Sequence, residues 1–208
     1  MSPDLSAAER AYRRLKREIL EGFLGAGPLD IGGLGDRLRM SATPVREALA
    51  RLRAEHFVHC SPHHGYAIAP PSPRQLQHLY QLSGALLDLS LQLMQRDGSG
   101  TPASTTDARA SDYAVGLTML LDAIGASQPN LELSARITET GDRLFSARRC
   151  EPAVFLGAAE TLSALMVLWE RQNVEALRSL IRTHHAARIA AATALAQILS
   201  DKFGESSP

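Results

Sequence analysis

The sequence predicts a mainly α protein, with three N-terminal helices and a small β-hairpin followed by an all-α helical bundle. Three observations carry this. Aromatics make up 5% of the 208 residues while Ala and Leu dominate a 45% hydrophobic content, a balance that favours packed helices over sheets. Apolar residues recur at spacings of three and four along most of the chain. A proline cluster, "PPSPR", interrupts that pattern after residue 70, where neither a helix nor a ladder continues easily.

The elements follow in order. "AAERAYRRLKREILEG" places Ala11, Leu15, Ile19 and Leu20 on one face and Arg13, Arg14, Lys16 and Arg17 around them, with Gly22 as the stop. "FLGAGPLD" is expected as a loop. A short helix, Ile31 to Leu38, turns Leu34 and Leu38 inward. "MSATPVREALARL" opens a third helix that reaches about Glu55. Ser41 is its expected N-cap, its hydroxyl taking a free backbone N–H, and Pro44 falls in the first turn, where a missing N–H costs little. "FVHC" and "YAIAP" are expected as two strands of a hairpin, with Gly65 supplying the unusual backbone angle.

The expected domains are residues 1–70, a linker at 71–75, and a helical domain at 76–208. In the second domain Leu76, Leu79, Leu82, Leu86, Leu89 and Leu93 fall at helical spacing. A loop is expected at 98–107, then helices at about 110–126, 130–149, 153–171 and 173–200. The alanine-rich last helix suits close packing in the bundle core and a dimer contact.

Composition excludes several classes. There is no 18-residue apolar run, so no membrane span is expected. The N-terminus lacks the apolar core of a signal peptide. Two distant cysteines, Cys60 and Cys150, provide no disulfide framework, and the chain is expected in the cytoplasm. No phosphate-binding loop or nucleophile elbow occurs, so no enzyme is expected. Charge is asymmetric: eleven Lys/Arg face eight Asp/Glu through Arg74, whereas the remainder is acidic, which suggests different partners for the two parts.

Three helices and a two-stranded wing make a winged helix-turn-helix, whose recognition helix enters the major groove. Val45, Leu49 and Leu52 form the inward face of the third helix, leaving Thr43, Arg46, Glu47 and Ala50 outward. Its first turn aims N–H groups and the positive dipole end at a phosphate, and Arg46 can reach a guanine edge or a phosphate. The expected DNA-binding set is Arg13, Arg39, Ser41, Thr43, Arg46, Arg51, His63, His64 and Gly65, with Arg53 as a further phosphate contact. "HFVHCSPHHG" gathers His56, His59, Cys60, His63 and His64, but their irregular spacing does not suit a metal site, and wing histidines would make DNA affinity fall as pH rises.

"ATPVREALARLRAEHFVHCSPHHGYAIAP" resembles the recognition helix and wing of the GntR family of bacterial transcription regulators, and the resemblance covers roughly residues 8–70. The helical remainder resembles the FCD class of that family, whose bundle senses a small molecule. The resemblance implies a DNA-binding transcription regulator, a ligand-responsive repressor that meets a near-palindromic operator as a homodimer. Relatives carry a DNA-contacting Arg where this chain has Ala42. That substitution leaves open an alternative, a helical ligand-binding or protein-interaction module that has lost specific DNA binding.

Many FCD domains hold a metal through an Asp, a His four residues later and two further His. Asp142 and His184 match two of these positions, but Ser146 replaces the first His and the intervening segment contains no His. No metal and no other cofactor is therefore expected. Ser83 and Leu87 stand where relatives carry an Arg and a Glu. The expected effector pocket, Ser83, Asp142, Ser146 and His184, thus favours an uncharged or apolar ligand, while Arg143, Arg148 and Arg149 are expected on a solvated helix end.

Overall fold

A computed structural model describes residues 5–61, 65–97 and 112–205. Its contacts divide the chain into one compact unit of residues 1–70 with 200–208 and another of residues 71–199. Among the described residues, 200–205 group with the first unit.

The first unit is built on α1 (Ala7–Glu21), α2 (Ile31–Leu38) and α3 (Ala42–Ala54). Helix α1 starts at Ser6, whose hydroxyl accepts the Glu9 N–H, and stops at Gly22, which takes φ 78. Asp30 caps α2 through the N–H groups of Gly32 and Gly33. Ala11, Leu15, Ile19, Leu34, Leu38, Val45, Leu49 and Leu52 form the core with Val58 and Ile68, and Phe203 packs against it. The inward faces are those the periodicity predicts.

Among the described residues the sheet has three strands rather than two. Strands β2 (His59–Ser61) and β3 (Gly65–Ile68) form the wing, pairing His59 with Ala67 and Ser61 with Gly65. Strand β1 (Gly27–Pro28) lies inside the expected loop and pairs Gly27 with Ile68 on the other side of β3. Two residues with a proline, which donates nothing to a ladder, leave no strand signature in a sequence.

The second unit comprises α4 (Pro73–Asp97), α5 (Tyr113–Ala126), α6 (Leu131–Arg148), α7 (Glu151–Val154), α8 (Ala158–Glu170), α9 (Val174–Ala190) and most of α10 (Ala192–Glu205). Helix α4 begins at Pro73, within the expected linker. Its buried side includes Leu76, Leu79, Tyr80, Ser83, Leu87, Leu91 and Met94, while Leu82 and Leu89 are exposed. The leucine spacing thus follows the buried side at Leu76 and Leu79 and leaves it at Leu82 and Leu89, because leucines occupy nearly every side of this helix. The expected last helix is two, parted at Ala191, and the expected helix at 153–171 is the short α7 followed by α8. The loop expected at 98–107 lies outside the described residues. Leu87, Leu117, Leu120, Ile124, Leu165, Trp169 and Ile181 anchor the core. Among the described residues no helix is long and apolar enough to cross a membrane.

Candidate nucleic-acid interface

On α3 the buried residues are Val45, Ala48, Leu49 and Leu52, and the outward ones include Thr43, Arg46, Glu47, Ala50 and Arg53. Arg46 and Arg53 are seven residues apart, two helical turns, so they share a face about 10 Å apart along the axis. Ser41 is the N-cap residue by backbone geometry (φ −67, ψ 165), but its side chain makes no capping hydrogen bond. The expected hydroxyl cap is thus corrected: the residue turns the chain into the helix, and its exposed hydroxyl takes none of the helix's N–H groups.

The arginines of this unit divide into two classes. Arg51 pairs with Glu9 at 2.8 Å and Glu55 at 3.2 Å, and its guanidinium lies 3.6 Å from the Tyr12 ring centroid. Arg13 pairs with the same Glu9 at 2.6 Å. Glu18 takes both Arg14 at 3.2 Å and Arg37 at 2.8 Å. Glu55 also accepts from Lys16 at 3.0 Å and from the Tyr12 hydroxyl at 2.9 Å. Burial raises the carboxyl of Glu55, but Lys16, Tyr12 and Arg51 outweigh it and hold the pKa below the usual range. Arg17, Arg39, Arg46 and Arg53 have no ion-pair or hydrogen-bonding side-chain partner among the described residues. Of the predicted set, Arg39 and Arg46 are thus free to meet a polyanion, whereas Arg13 and Arg51 are committed to α1–α3 packing. Gly65 takes φ 67 at the start of β3; His63 and His64 lie outside the described residues. His59 and Cys60 are both exposed in β2.

In the second unit a polar cluster is buried. Glu151, fully buried, accepts from the Tyr80 hydroxyl at 2.7 Å, from the Arg188 Nε at 3.0 Å and from the Tyr113 hydroxyl. Burial and the Glu151 charge push both tyrosines well up, Tyr80 and Tyr113 alike. His185 donates from Nδ1 to the Ile181 carbonyl at 2.9 Å, which leaves Nε2 to accept from the Ser83 hydroxyl at 3.1 Å. Its neighbour His184 is 4% exposed, and its Nδ1 has no hydrogen-bond partner among the described residues. Burial, His185 and the two arginines Arg188 and Arg148 push His184 well below the ordinary imidazole range. Arg148 is 2% exposed and donates to Thr118 Oγ1 at 2.8 Å. Its expected place on a solvated helix end is corrected: it is one of the largest buried side chains. Asp142 and Ser146 are half-buried, and Asp142 helps burial raise the carboxyl of Asp122.

Residues 7–68 match the model of the bacterial regulatory proteins of the gntR family. That span covers α1 through β3, the winged unit just described. Residues 7–68 are thus similar to the GntR-family DNA-binding domain. The whole chain is similar in fold to a structure described as a GntR transcriptional regulator from Rhodococcus sp. RHA1, at 16% identity and a TM-score of 0.78 over 90% of this chain and 98% of that one. It is also similar to Escherichia coli McbR/YncC, at 19% identity and a TM-score of 0.63 over 98% of this chain and 100% of that one. No curated protein matches.

The winged unit was legible through its motif, but Tyr80, Tyr113, Glu151, His185 and Arg188 in the helical unit were missed. A charge or hydroxyl on an apolar helix face, such as Arg188 seven residues after Ile181 on α9, was the available signal. Asp142 and His184 are the two residues that stand where the resemblance implies ligands to a metal. Among the described residues no group of three or more His, Cys, Asp and Glu converges to hold one, and Ser146 is a poor ligand for a divalent ion.

Proposed function

We propose that the chain is a cytoplasmic, ligand-responsive transcriptional repressor that binds a near-palindromic operator as a homodimer through its GntR domain. The observation that carries this reading is the outward face of α3, where Thr43 and the unpartnered Arg46 lie in the first two turns of a helix whose other face is core. Phosphate contacts position such a helix and base contacts specify the site. The test is selection of duplexes from a random pool by the purified chain, followed by binding of the enriched sequence. Wild type discriminates it from random DNA and Arg46→Ala does not; equal and unselective binding by both would refute the reading and favour an interaction module. Sedimentation of the free and DNA-bound chain reads the dimer.

The effector is uncharged or apolar, as the sequence favours. Arg188 is matched by the buried Glu151, and Arg148 by Asp122, whose carboxyl burial and Asp142 raise and the Arg148 charge pulls down, so the interior offers no surplus cation to an acid. Thermal shifts with acetate and benzoate, each against its neutral amide and with chelator present, test this: the amides stabilise and the acids do not.

A further inference from the structure

Arg39 occupies the residue that closes α2, with φ 54 and ψ 48. Side chains other than glycine and asparagine are strained in this left-handed region. The turn itself is built by the backbone: the Arg39 N–H reaches the Asp36 carbonyl at 3.1 Å, and the Met40 N–H reaches the Gly35 carbonyl at 2.9 Å. It is also tight, since a Cβ at Gly35 would stand 2.8 Å from the Met40 carbonyl oxygen. None of this uses the Arg39 side chain, which is exposed and without a partner among the described residues. Glycine would close the same turn without strain.

Two other residues share the conformation, His56 and Gln172, so backbone angle alone does not single out Arg39. Its position does. Arg39 lies three residues before Ala42, at the end of α3 that carries Thr43 and Arg46, whereas His56 follows the opposite end of that helix. On the resemblance, Ala42 stands where relatives carry a DNA-contacting arginine.

Resting on the proposed DNA-binding role, we infer that Arg39 is a DNA-backbone contact, an arginine kept in a left-handed turn at a loss of stability so that its charge meets a phosphate beside the recognition helix. The strain is a feature of the folded chain and the benefit appears only with DNA, so one substitution moves the two in opposite directions.

The experiment compares wild type, Arg39→Gly, Arg39→Lys and Arg46→Ala as full-length chains, on the duplex selected by wild type and on a random duplex of equal length. Arg39→Gly is expected to raise the melting temperature by about 2–4 °C. It is also expected to reduce the salt dependence, the slope of log K against log salt, by about 1.8 on both duplexes, about 0.9 for each Arg39 of the bound dimer. Arg39→Lys keeps the slope. An unchanged slope in Arg39→Gly, while Arg46→Ala still weakens binding, overturns this inference and leaves the DNA-binding role standing. A melting temperature that stays or falls overturns the stability half. If neither substitution affects binding, the DNA-binding role fails with it.

Discussion

Glu151 and Arg188 meet at 3.0 Å with the carboxylate fully buried and the guanidinium 4% exposed, and the same carboxylate takes the hydroxyls of Tyr80 and Tyr113. Four residues from α4, α5, α7 and α9 therefore share one charge. The Phe155 ring covers the guanidinium at 4.1 Å. Taking two charges out of water is expensive, and the pair is sustained only because its remaining lone pairs and protons are used.

Removing one partner is thus the costly change. Glu151→Ala leaves Arg188 as an uncompensated buried cation and is expected to destabilise the helical unit by about 3–5 kcal/mol. The double change Glu151→Leu with Arg188→Met removes both charges and is expected to cost much less. Urea unfolding followed by the fluorescence of Trp169, buried in the same unit, measures both. A double variant as unstable as the single one would show that packing, not charge, dominates here.

The helical unit is also expected to lose stability in mild acid. Burial, with the repulsion of Arg148 and Arg188, depresses His185 to about 4 against the bond to the Ile181 carbonyl. The unfolded chain binds a proton below about pH 6.5 while the folded unit stays neutral. Stability is therefore fullest above that pH and falls as pH drops toward 4, by up to about 1.4 kcal/mol per pH unit. His184 acts in the same sense. Urea midpoints at pH 7, 6 and 5 read the slope, and His185→Gln is expected to reduce it, with His184 keeping the remainder.

Arg51 and Arg53, two positions apart, are expected to differ in kind. Arg51 stacks on Tyr12 and pairs with Glu9 and Glu55, though its side chain is 51% exposed and solvent screens the pairs. Arg51→Ala is expected to cost about 1 kcal/mol of stability with little effect on DNA. Arg53→Ala is expected to leave melting unchanged and to weaken DNA binding evenly across sequences. Melting and fluorescence anisotropy on the same two proteins check this; the reverse pattern would exchange their roles.

The contrast between these arginines shows where sequence reading stops. Periodicity placed Val45, Leu49 and Leu52 inward and Arg46 outward, because one helix face decides that locally. It could not tell Arg51 from Arg53, since the acids that hold Arg51 come from α1, 42 residues away, and from the end of α3. Arg148 failed for the same reason: two neighbouring cations, Arg148 and Arg149, look alike in a string, and only the packing of α6 buries the first. Leu82 and Leu89 were indistinguishable from Leu87 and Leu91 until the rest of the bundle chose a side. The winged unit was legible because its turns, caps and motif are local. The polar interior was not, because the bonds that tie Glu151 to Tyr80, Tyr113 and Arg188, and His185 to Ser83, join residues 37 to 102 positions apart.

Ala42 offers a gain-of-function test of the interface. It is the first residue of α3 and half-buried, beside the exposed Thr43, so a long side chain there can extend past the helix end. On the resemblance, relatives place an arginine at this position. Ala42→Arg is expected to tighten binding to the selected duplex by about 1–3 kcal/mol, tenfold or more at the centre of that range, if the guanidinium reaches a base edge. It is expected to tighten random duplex far less, because a base contact is lost with the wrong base while a phosphate contact is not. Ala42→Gln serves as the uncharged control of similar length. Anisotropy titrations at fixed salt give the ratio of selected to random affinity. A ratio that rises with Arg and not with Gln places position 42 against the bases, whereas equal tightening on both duplexes would make it one more phosphate contact.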